Sequence, residues 1–363
     1  MARRFFLYVV TVSLVGYLIF ASAALGLLGR GSASFYAILS NQLLALGLSF
    51  LILLLMAKID YRYLRRFAPL IFIFTLGLTF LVFVPGLGLS AGGATRWLDL
   101  GLYTLQPAEF LKLGFVIYLA ALVSRYQAKG KNPTGLLLVF AAVFGLVGVA
   151  LVLQPDLGTL GVIFAGGFSV LIAAGLPARH ILLAFLGVVI AVSLVIAVKP
   201  YAKQRVLTFL NPSADTQDSG YQINQSLIAI GSGQVFGRGF GQSLQKFNFL
   251  PEPIGDSIFA VLGEEFGFLG GFGVIVLFLI FALWGLRIAG QARDNFGRLV
   301  VVGIVVTIIA GAFANIGSMM GVLPLTGIPL VFISHGGSAL LAALLGCGII
   351  LNVIKSSNQT PKA

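Results

Sequence analysis

The sequence carries little charge: Lys, Arg, Asp and Glu make up 9% of its 363 residues, whereas 59% are hydrophobic. A soluble domain has roughly 25% charged residues and roughly 45–50% apolar residues. Folded in water, this chain would leave apolar surface that nothing could cover. The composition excludes a soluble enzyme, a nucleic-acid-binding domain and a disordered chain. It predicts a protein that crosses a membrane several times.

Residues that bind transition metals are also scarce. The one cysteine, Cys347, lies in an apolar run, so an intrachain disulfide and a thiolate metal cluster are both excluded. The two histidines, His180 and His335, cannot form a helical HExxH zinc site. Any metal would therefore have to be held by carboxylates and carbonyl oxygens.

Acidic residues are fewer than basic ones, and the net charge at pH 7 is +12. The basic residues occur in short clusters between apolar runs, a pattern typical of Lys and Arg retained on the cytoplasmic side of a membrane. We therefore expect a membrane surface and membrane lipid as partners, and no nucleic acid.

A helix that crosses a bilayer needs about 20 mostly apolar residues. About ten segments meet this criterion: residues 5–28, 36–57, 67–85, 106–125, 135–154, 157–176, 179–198, 257–286, 299–322 and 334–354. The first resembles a secretory signal, but its apolar stretch is longer than a typical signal core, so we interpret it as a retained helix. The predicted fold is all-α, a single transmembrane domain over residues 1–363.

The basic clusters predict the orientation of these helices. Two arginines, Arg30 and Arg96, lie in the short loops of one side. The other side carries Arg3, Arg4, Lys58, Arg62, Arg65, Arg66, Arg125, Lys129, Lys131, Arg179, Arg287, Arg293, Arg298, Lys355 and Lys362. This asymmetry places both termini in the cytoplasm, which agrees with an even number of spans. Residues 86–105 and the long loop of residues 199–256 then lie outside the cell, and the latter is long enough to be functional.

Two polar clusters lie near the first outer loop. Arg96 and Trp97 either anchor the loop in the membrane interface or form a lip for an anionic, sugar-like head group, with Arg96 as a bidentate phosphate ligand. In the next span, Glu109 and Lys112 fall on one helix face. They form either a buried ion pair that fixes helix packing or the lining of a polar cavity.

A third candidate, Asp156, lies in a tight outer turn between two spans. It either caps the following helix or belongs to a site.

The long outer loop contains the most informative residues. Residues 221–230 predict a short amphipathic helix at the interface, and the glycine run that follows allows sharp turns or close approach to a ligand or the membrane. Asp256 stands where the loop enters the eighth span. It is either the N-cap of that helix or a general base whose pKa is raised by partial desolvation. Glu264 and Glu265, two turns deeper, are expected to find partners inside the bundle.

Taken in order, these segments resemble the SEDS family (shape, elongation, division and sporulation), whose members include RodA and FtsW. The similar blocks are GGATRWLDLG, QPAEFLKL, QPDLGTL, GYQINQSLIAIGSGQVFGRGFG, FLPEPIGDSIFAVLGEEFGFLG and NIGSMMGVLPLTGIPLVFISHGGSALL. The resemblance covers nearly the whole chain from about Arg96 onward, and the number of spans agrees with it.

The resemblance implies a peptidoglycan glycosyltransferase that polymerises lipid II at the outer face of the cytoplasmic (inner) membrane of a bacterium. It also implies a class B penicillin-binding protein, a transpeptidase, as partner. The family's essential loop aspartate corresponds to Asp256, its acid and base to Glu109 and Lys112, and its loop Arg-Trp to Arg96 and Trp97. Two departures stand out. Ile254-Gly255 replaces the usual His-Thr, and His335 replaces the usual Tyr.

Within the family, the short termini and compact length favour a RodA-like role in elongation and cell shape. The stretch GRGFGQSLQKFNFLPE is at least as similar to FtsW, which acts in division.

The implied reaction is an inverting displacement that releases undecaprenyl pyrophosphate from an undecaprenyl-linked glycan chain. Asp256 is the expected base for the attacking sugar hydroxyl. Arg96, Lys112, Arg205 or a divalent cation (Mg²⁺ or Mn²⁺) is expected to stabilise the pyrophosphate. A flippase for a lipid-linked precursor and a non-catalytic scaffold for cell-wall synthases are the alternatives.

Overall fold

The computed structural model describes residues 1–30, 32–91, 93–101, 103–128, 130, 133–212 and 219–358. Three of the basic residues that predict the orientation, Lys129, Lys131 and Lys362, and Gly92 of the Arg96 loop lie outside the described residues. The helices are α1 (Ala2–Ala24), α2 (Ser32–Met56), α3 (Arg62–Leu81), α4 (Pro107–Ala128), α5 (Pro133–Leu153), α6 (Leu157–Ala173), α7 (Ala178–Val198), α8 (Pro200–Leu210), α9 (Ser219–Ser232), α10 (Ile258–Gly290), α11 (Asn295–Met319) and α12 (Gly337–Asn358). The strands are β1 (Gly88–Ala91), β2 (Ala94–Asp99) and β3 (Thr104–Leu105).

The predicted membrane spans are present as helices. Within the described ranges, nine helices are long and apolar enough to cross a bilayer, and the apolar α6, with 17 residues, reaches the lower limit of about 17 residues for a span. The prediction of a helical, multi-pass membrane protein is confirmed. One predicted boundary is wrong by five residues: the prediction begins the third span at residue 67, whereas α3 begins at Arg62. Long arginine side chains can extend from a helix end toward water, so Arg62, Arg65 and Arg66 can form the first turns of α3.

Helix α4 lies at the centre of the bundle and packs against α3, α6, α11 and α12. Its side chains Leu111, Phe115 and Leu119 are fully buried. Helix α7 differs, because most of its residues are exposed and only His180 and Ala184 are buried. The bundle therefore has a densely packed middle and a loosely attached helix at its edge.

The predicted eighth span is interrupted. Gly267 inside α10 has φ +64° and ψ −161°, outside the helical region. The glycine-rich segment 233–241 occupies the gap: the Arg238 and Gly239 N–H groups donate to the Glu264 and Glu265 carbonyls at 3.0 and 2.9 Å. The Phe268 N–H donates to the Gln234 carbonyl at 2.8 Å. These bonds replace those that the break removes from the helix.

The glycine run serves this contact. A Cβ atom at Gly237, which has φ +81°, would collide with the Glu265 carbonyl, and one at Gly233 would collide with the Gly263 carbonyl. We predicted that these glycines allow sharp turns or a close approach to a ligand or the membrane. The sharp turns are present, but the close approach at these two glycines is to α10.

Glu264 and Glu265 have protein partners, as predicted. Glu265 accepts a hydrogen bond from Ser22 and forms a buried salt bridge of 2.6 Å with Lys246. Glu264 accepts a hydrogen bond of 2.6 Å from the Ser243 hydroxyl. This buried network fastens the segment that contains Ser243 and Lys246 to α10 and to α1.

The two segments predicted to lie outside the cell are more ordered than loops. Residues 86–105 contain a three-stranded antiparallel sheet in the order β1-β2-β3, which the sequence did not predict. In the segment 199–256, α9 confirms the helix predicted over residues 221–230, and α8 is an additional helix. Ile223 and Ala229 of α9 are buried, and the helix packs on α10 and α11.

Candidate active site

The backbone around Asp256 is fixed from two sides. The carbonyls of residues 254, 255 and 256 accept hydrogen bonds from the His335 N–H (2.7 Å), the Ser334 hydroxyl (2.7 Å) and the Asn315 side-chain amide (2.6 Å). Asn315 belongs to α11, and Ser334 and His335 lie just before α12. Two separate elements therefore hold the position of Asp256.

The helix-capping interpretation of Asp256 is wrong. The N-cap residue of α10 is Ser257, and no side-chain capping bond is made there. Asp256 is half-buried, and its carboxylate instead accepts a hydrogen bond of 3.1 Å from the Gln222 amide of α9.

The environment of Asp256 raises its pKa to about 6. Burial is the largest cause, because it disfavours the charged form, and the nearby negative charge of Glu252 adds to it. The Gln222 hydrogen bond and the positive charge of Arg205 act in the opposite direction. A carboxylate with a pKa near 6 is a stronger base than an ordinary aspartate and is still ionised at neutral pH.

Arg205, on α8, lies within electrostatic range of Asp156 and Asp256. Burial and the nearby Arg96 lower its pKa, whereas Asp156, Tyr201 and Asp256 raise it. Among the described residues no carboxylate lies within salt-bridge distance of Arg205. The charge of the guanidinium is thus available to an anion that enters beside Asp256.

Arg96 is held by the turn between α5 and α6. Its Nε donates to the Gln154 carbonyl at 3.1 Å, and an Nη donates to the Pro155 carbonyl. The interfacial-anchor interpretation required this guanidinium to face lipid phosphates, but two of its donors face protein carbonyls. Arg96 and Arg205 nevertheless share one electrostatic cluster with Asp156 and Tyr201.

Asp156 caps α6, as one of its two interpretations predicted. One carboxylate oxygen accepts a hydrogen bond of 3.2 Å from the Thr159 N–H. The second oxygen is buried and has no hydrogen-bond partner among the described residues. A role of Asp156 in a site stays a prediction.

Glu109 and Lys112 form a buried salt bridge of 2.7 Å on the first two turns of α4. This is the geometry that the ion-pair interpretation requires. No hydrogen bond or salt bridge within the described part of the chain joins either side chain to Arg96, Arg205 or Asp256. Their role in substrate binding stays a prediction.

The structure adds residues that we did not predict from the sequence. Gln222 and Glu252 tune the Asp256 carboxylate, Tyr201 lies beside Arg205, and Asn315 fixes the Asp256 backbone. The signal for Asn315 was available, since a buried amide within an apolar span needs a specific partner. Gln222 and Glu252 give no such signal, because polar residues are ordinary in an outer segment.

A cation site built from protein side chains is not seen in the described residues: no group of three or more His, Cys, Asp or Glu side chains there could hold a metal ion. Mg²⁺ often binds through substrate phosphates, water and one or two carboxylates. A divalent cation that arrives with a pyrophosphate is compatible with this arrangement and stays a prediction.

Comparison with known proteins places the chain in a family. The family FTSW_RODA_SPOVE, described as "Cell cycle protein", matches residues 2–359. The chain belongs to the SEDS family. This SEDS protein is 40% identical over 322 residues to stage V sporulation protein E of Bacillus subtilis (strain 168), covering 87% of each chain. It is 38% identical over 307 residues to the probable peptidoglycan glycosyltransferase FtsW of Geobacter metallireducens, covering 84% of this chain and 81% of the relative.

Solved structures agree with the SEDS assignment. The rod shape determining protein RodA of Thermus thermophilus matches with a TM-score of 0.70 and 26% identity, covering 98% of this chain and 97% of that one. A chain of a peptidoglycan synthase complex that coordinates polymerization and crosslinking matches with a TM-score of 0.75 and 30% identity, covering 95% and 97%. The resemblance found in the sequence is confirmed at the level of family and fold.

Proposed function

We propose that this SEDS protein is a peptidoglycan glycosyltransferase that polymerises lipid II into glycan strands and releases undecaprenyl pyrophosphate. The names of its FtsW relatives support this activity. The observation that carries the proposal is the proximity of two groups: Asp256, whose pKa is raised to about 6, and Arg205, a cation within electrostatic range of it that has no salt-bridge partner among the described residues.

In the proposed reaction Asp256 takes the proton of the attacking sugar 4-hydroxyl. The oxygen forms a bond to the anomeric carbon of the donor as the bond from that carbon to pyrophosphate breaks. A sugar hydroxyl is a poor nucleophile, so a positioned base accelerates this step by roughly 10²–10⁴-fold. One displacement converts an α-linked donor to a β-linked product, so no carboxylate is needed as a covalent nucleophile.

Positive charge is required where the pyrophosphate leaves. We assign this role to Arg205 and Arg96, which lie in one electrostatic cluster near Asp256. Lys112 is a less direct candidate, because its amine already pairs with Glu109.

An apolar groove supports the placement of the donor's prenyl chain. The groove, of about 560 Å³, lies between α5, α6 and α7, and Val152, Leu160 and Val195 line it. These residues lie close in sequence to Asp156 and to the start of α8. A prenyl chain entering sideways from the bilayer between these helices would bring its phosphates toward the Arg96–Arg205 cluster.

We place this site on the outer face of the cytoplasmic membrane, with both termini in the cytoplasm. The distribution of Lys and Arg between short loops supports that orientation. We further propose a class B penicillin-binding protein as partner, because one structural neighbour belongs to a complex that couples polymerization to crosslinking.

For the cellular role we propose elongation and shape, because a rod shape determining protein, RodA, is among the structural neighbours. Division is the second candidate, favoured by the sequence relatives named FtsW. Depletion of the protein in its host separates the two roles. Rounded cells would support elongation, and filaments would support division.

The activity is tested with purified full-length protein and lipid II. We expect glycan polymer and an equivalent amount of undecaprenyl pyrophosphate. A flippase would instead move lipid II across proteoliposomes without forming polymer, and a scaffold would do neither. Either of those results contradicts the proposal.

A further inference from the structure

A group of arginines lies at the end of the bundle that we place in the cytoplasm. Arg62, Arg65 and Arg66 occupy the first turns of α3, and Arg125 lies in the last turn of α4. The two helices pack against each other. None of the four arginines belongs to the candidate active site, which lies near the opposite ends of these helices.

A hydrogen bond joins the two helices within this group. An Nη of Arg125 donates to the backbone carbonyl of Arg65 at 3.1 Å. The bond holds the Arg125 guanidinium beside the part of α3 that carries Arg65 and Arg66. Three like charges are therefore concentrated where the two helices meet, an arrangement that costs free energy unless an anion is close.

The protein supplies little negative charge at this point. Among the described residues, no carboxylate lies within salt-bridge distance of Arg65, Arg66 or Arg125. The first turn of α3 contains no acidic residue, and the helix dipole adds positive charge at that end. Arg62 differs, because two aspartates lie within its electrostatic range. We call the other three residues, Arg65, Arg66 and Arg125, the arginine site.

An apolar surface leads along α3 to the arginine site. Positions i, i+4 and i+7 share one face of a helix, so Leu70 and Ile73 lie on the same side of α3 as Arg66. Leu70 is 63% exposed and Ile73 is 64% exposed. On a membrane-spanning helix such a face contacts acyl chains. Tyr63, which is also exposed, lies one turn nearer the helix end, where aromatic residues mark the head-group region.

These two features together favour a phospholipid over a soluble anion. A guanidinium binds phosphate through two parallel hydrogen bonds and gives up its hydration more readily than an ammonium group does. A free phosphate would use only the arginines. A phospholipid would place its phosphate on the arginines and its acyl chains on the exposed face of α3.

We propose that Arg65, Arg66 and Arg125 bind the phosphate of an anionic phospholipid whose acyl chains pack on the exposed face of α3. A head group with a net negative charge is preferred, because the cationic group of a zwitterionic lipid would be repelled by the same arginines. The site is independent of the proposed function, since it uses none of the residues assigned to the reaction.

The test titrates the delipidated full-length protein, in nonionic detergent, with phosphatidylglycerol or with phosphatidylcholine. Native mass spectrometry counts the bound lipid. The wild type should bind phosphatidylglycerol saturably and more tightly than phosphatidylcholine. One arginine near a membrane surface contributes about 1 kcal/mol, so Arg66→Gln and Arg125→Gln should each weaken the binding of phosphatidylglycerol about fivefold.

Arg179→Gln is the matched control. Arg179 is exposed in the first turn of α7, on the side that we also place in the cytoplasm, and its variant loses the same unit of charge. This variant should bind phosphatidylglycerol like the wild type. Arg66 is exposed too, so its replacement tests the site without disturbing the packing of α3.

Three results would overturn the proposal. Equal affinity for the two lipids would show that the head-group charge is not recognised. Unchanged affinity in both the Arg66 and the Arg125 variants, or equal losses in those variants and in the Arg179 control, would exclude a specific site on α3 and α4. Displacement of phosphatidylglycerol by millimolar inorganic phosphate would show a site for soluble anions instead.

Discussion

Gln222 donates one hydrogen bond to the Asp256 carboxylate at 3.1 Å and a second to the Ser257 hydroxyl at 2.9 Å. A single amide on α9 therefore orients the candidate base just before the start of α10. The hydrogen bond favours the ionised carboxylate, while the neighbouring charge of Glu252 disfavours it. The pKa of Asp256 is therefore set by burial and Glu252, which raise it, and by the Gln222 hydrogen bond, which lowers it.

This balance predicts the pH dependence of the reaction. A general base works in its ionised form, so kcat/KM should rise with pH through about 6 and then level off. Glu252→Gln removes a negative charge and should move the rise to lower pH. Gln222→Leu removes a bond to the carboxylate and should move it to higher pH. The initial rate of undecaprenyl pyrophosphate release, measured from pH 5 to 8.5, tests both shifts. If the pH profiles of the two variants moved in the same direction, this explanation would be contradicted.

Arg205 should matter for the leaving group. Losing a charge-assisted hydrogen bond costs about 1.5–3 kcal/mol, so Arg205→Ala should lower kcat/KM for lipid II by about 10–100-fold. Arg205→Lys should recover part of that loss, because lysine keeps the positive charge. The recovery should be incomplete, because lysine lacks the planar guanidinium.

Lys203→Ala serves as the control for charge on α8, because Lys203 is exposed and lies two residues before Arg205. Equal losses in the Lys203 and Arg205 variants would point to net charge rather than to a specific contact. Steady-state kinetics on the purified variants distinguish the two cases.

The function of the Glu109–Lys112 pair can be separated from its packing. Breaking a buried pair by removing one partner leaves an uncompensated charge and costs about 3–5 kcal/mol. Glu109→Gln and Lys112→Met should therefore each lower the thermal stability, and the double variant should recover much of it. If the pair acts only in packing, the double variant also recovers polymerisation. If the pair binds substrate, the double variant is stable but its polymerisation rate stays low.

The break in α10 predicts an unequal effect of two glycines. Gly267→Ala places a side chain at φ +64° against the backbone of Gly237 and should destabilise the protein by about 1–3 kcal/mol or more. Gly273→Ala, six residues further along the same helix with open space around it, should be neutral or slightly stabilising. Thermal unfolding in detergent measures both, and equal stability of the two variants would mean that α10 is not broken at Gly267.

Hydropathy and the basic clusters were sufficient to predict the helices, because membrane spans are defined by local composition. The outer segments were not predictable in this way. The sheet of residues 88–105 pairs consecutive strands of two to six residues, which are too short for a clear hydropathy pattern. The break at Gly267 is stabilised by contacts between separate segments of the chain, such as that of Phe268 with Gln234. Local sequence contains little information about such pairings.

The same distinction applies to the residues of the candidate site. Asp256, Arg96 and Asp156 stand in motifs that the sequence displays, and Arg205 is a basic residue in an outer segment. Gln222 lies on α9, and only the folded chain brings its amide to the Asp256 carboxylate. Glu252 lies four residues before Asp256, but nothing in the local sequence shows that the two carboxylates influence each other. Asp256 was open to two interpretations in the sequence, and the position of Ser257 as the N-cap excluded one of them.

In the proposed reaction Asp256 removes the proton from the attacking hydroxyl. This step is tested most directly by the rate of undecaprenyl pyrophosphate release from lipid II by Asp256→Asn, with Asp60→Asn, an exposed aspartate before α3, as control. We predict a loss of about 10²–10⁴-fold in the Asp256 variant, with unchanged thermal stability, and a normal rate in the control. An Asp256→Asn protein that releases undecaprenyl pyrophosphate at nearly the wild-type rate would contradict the claim.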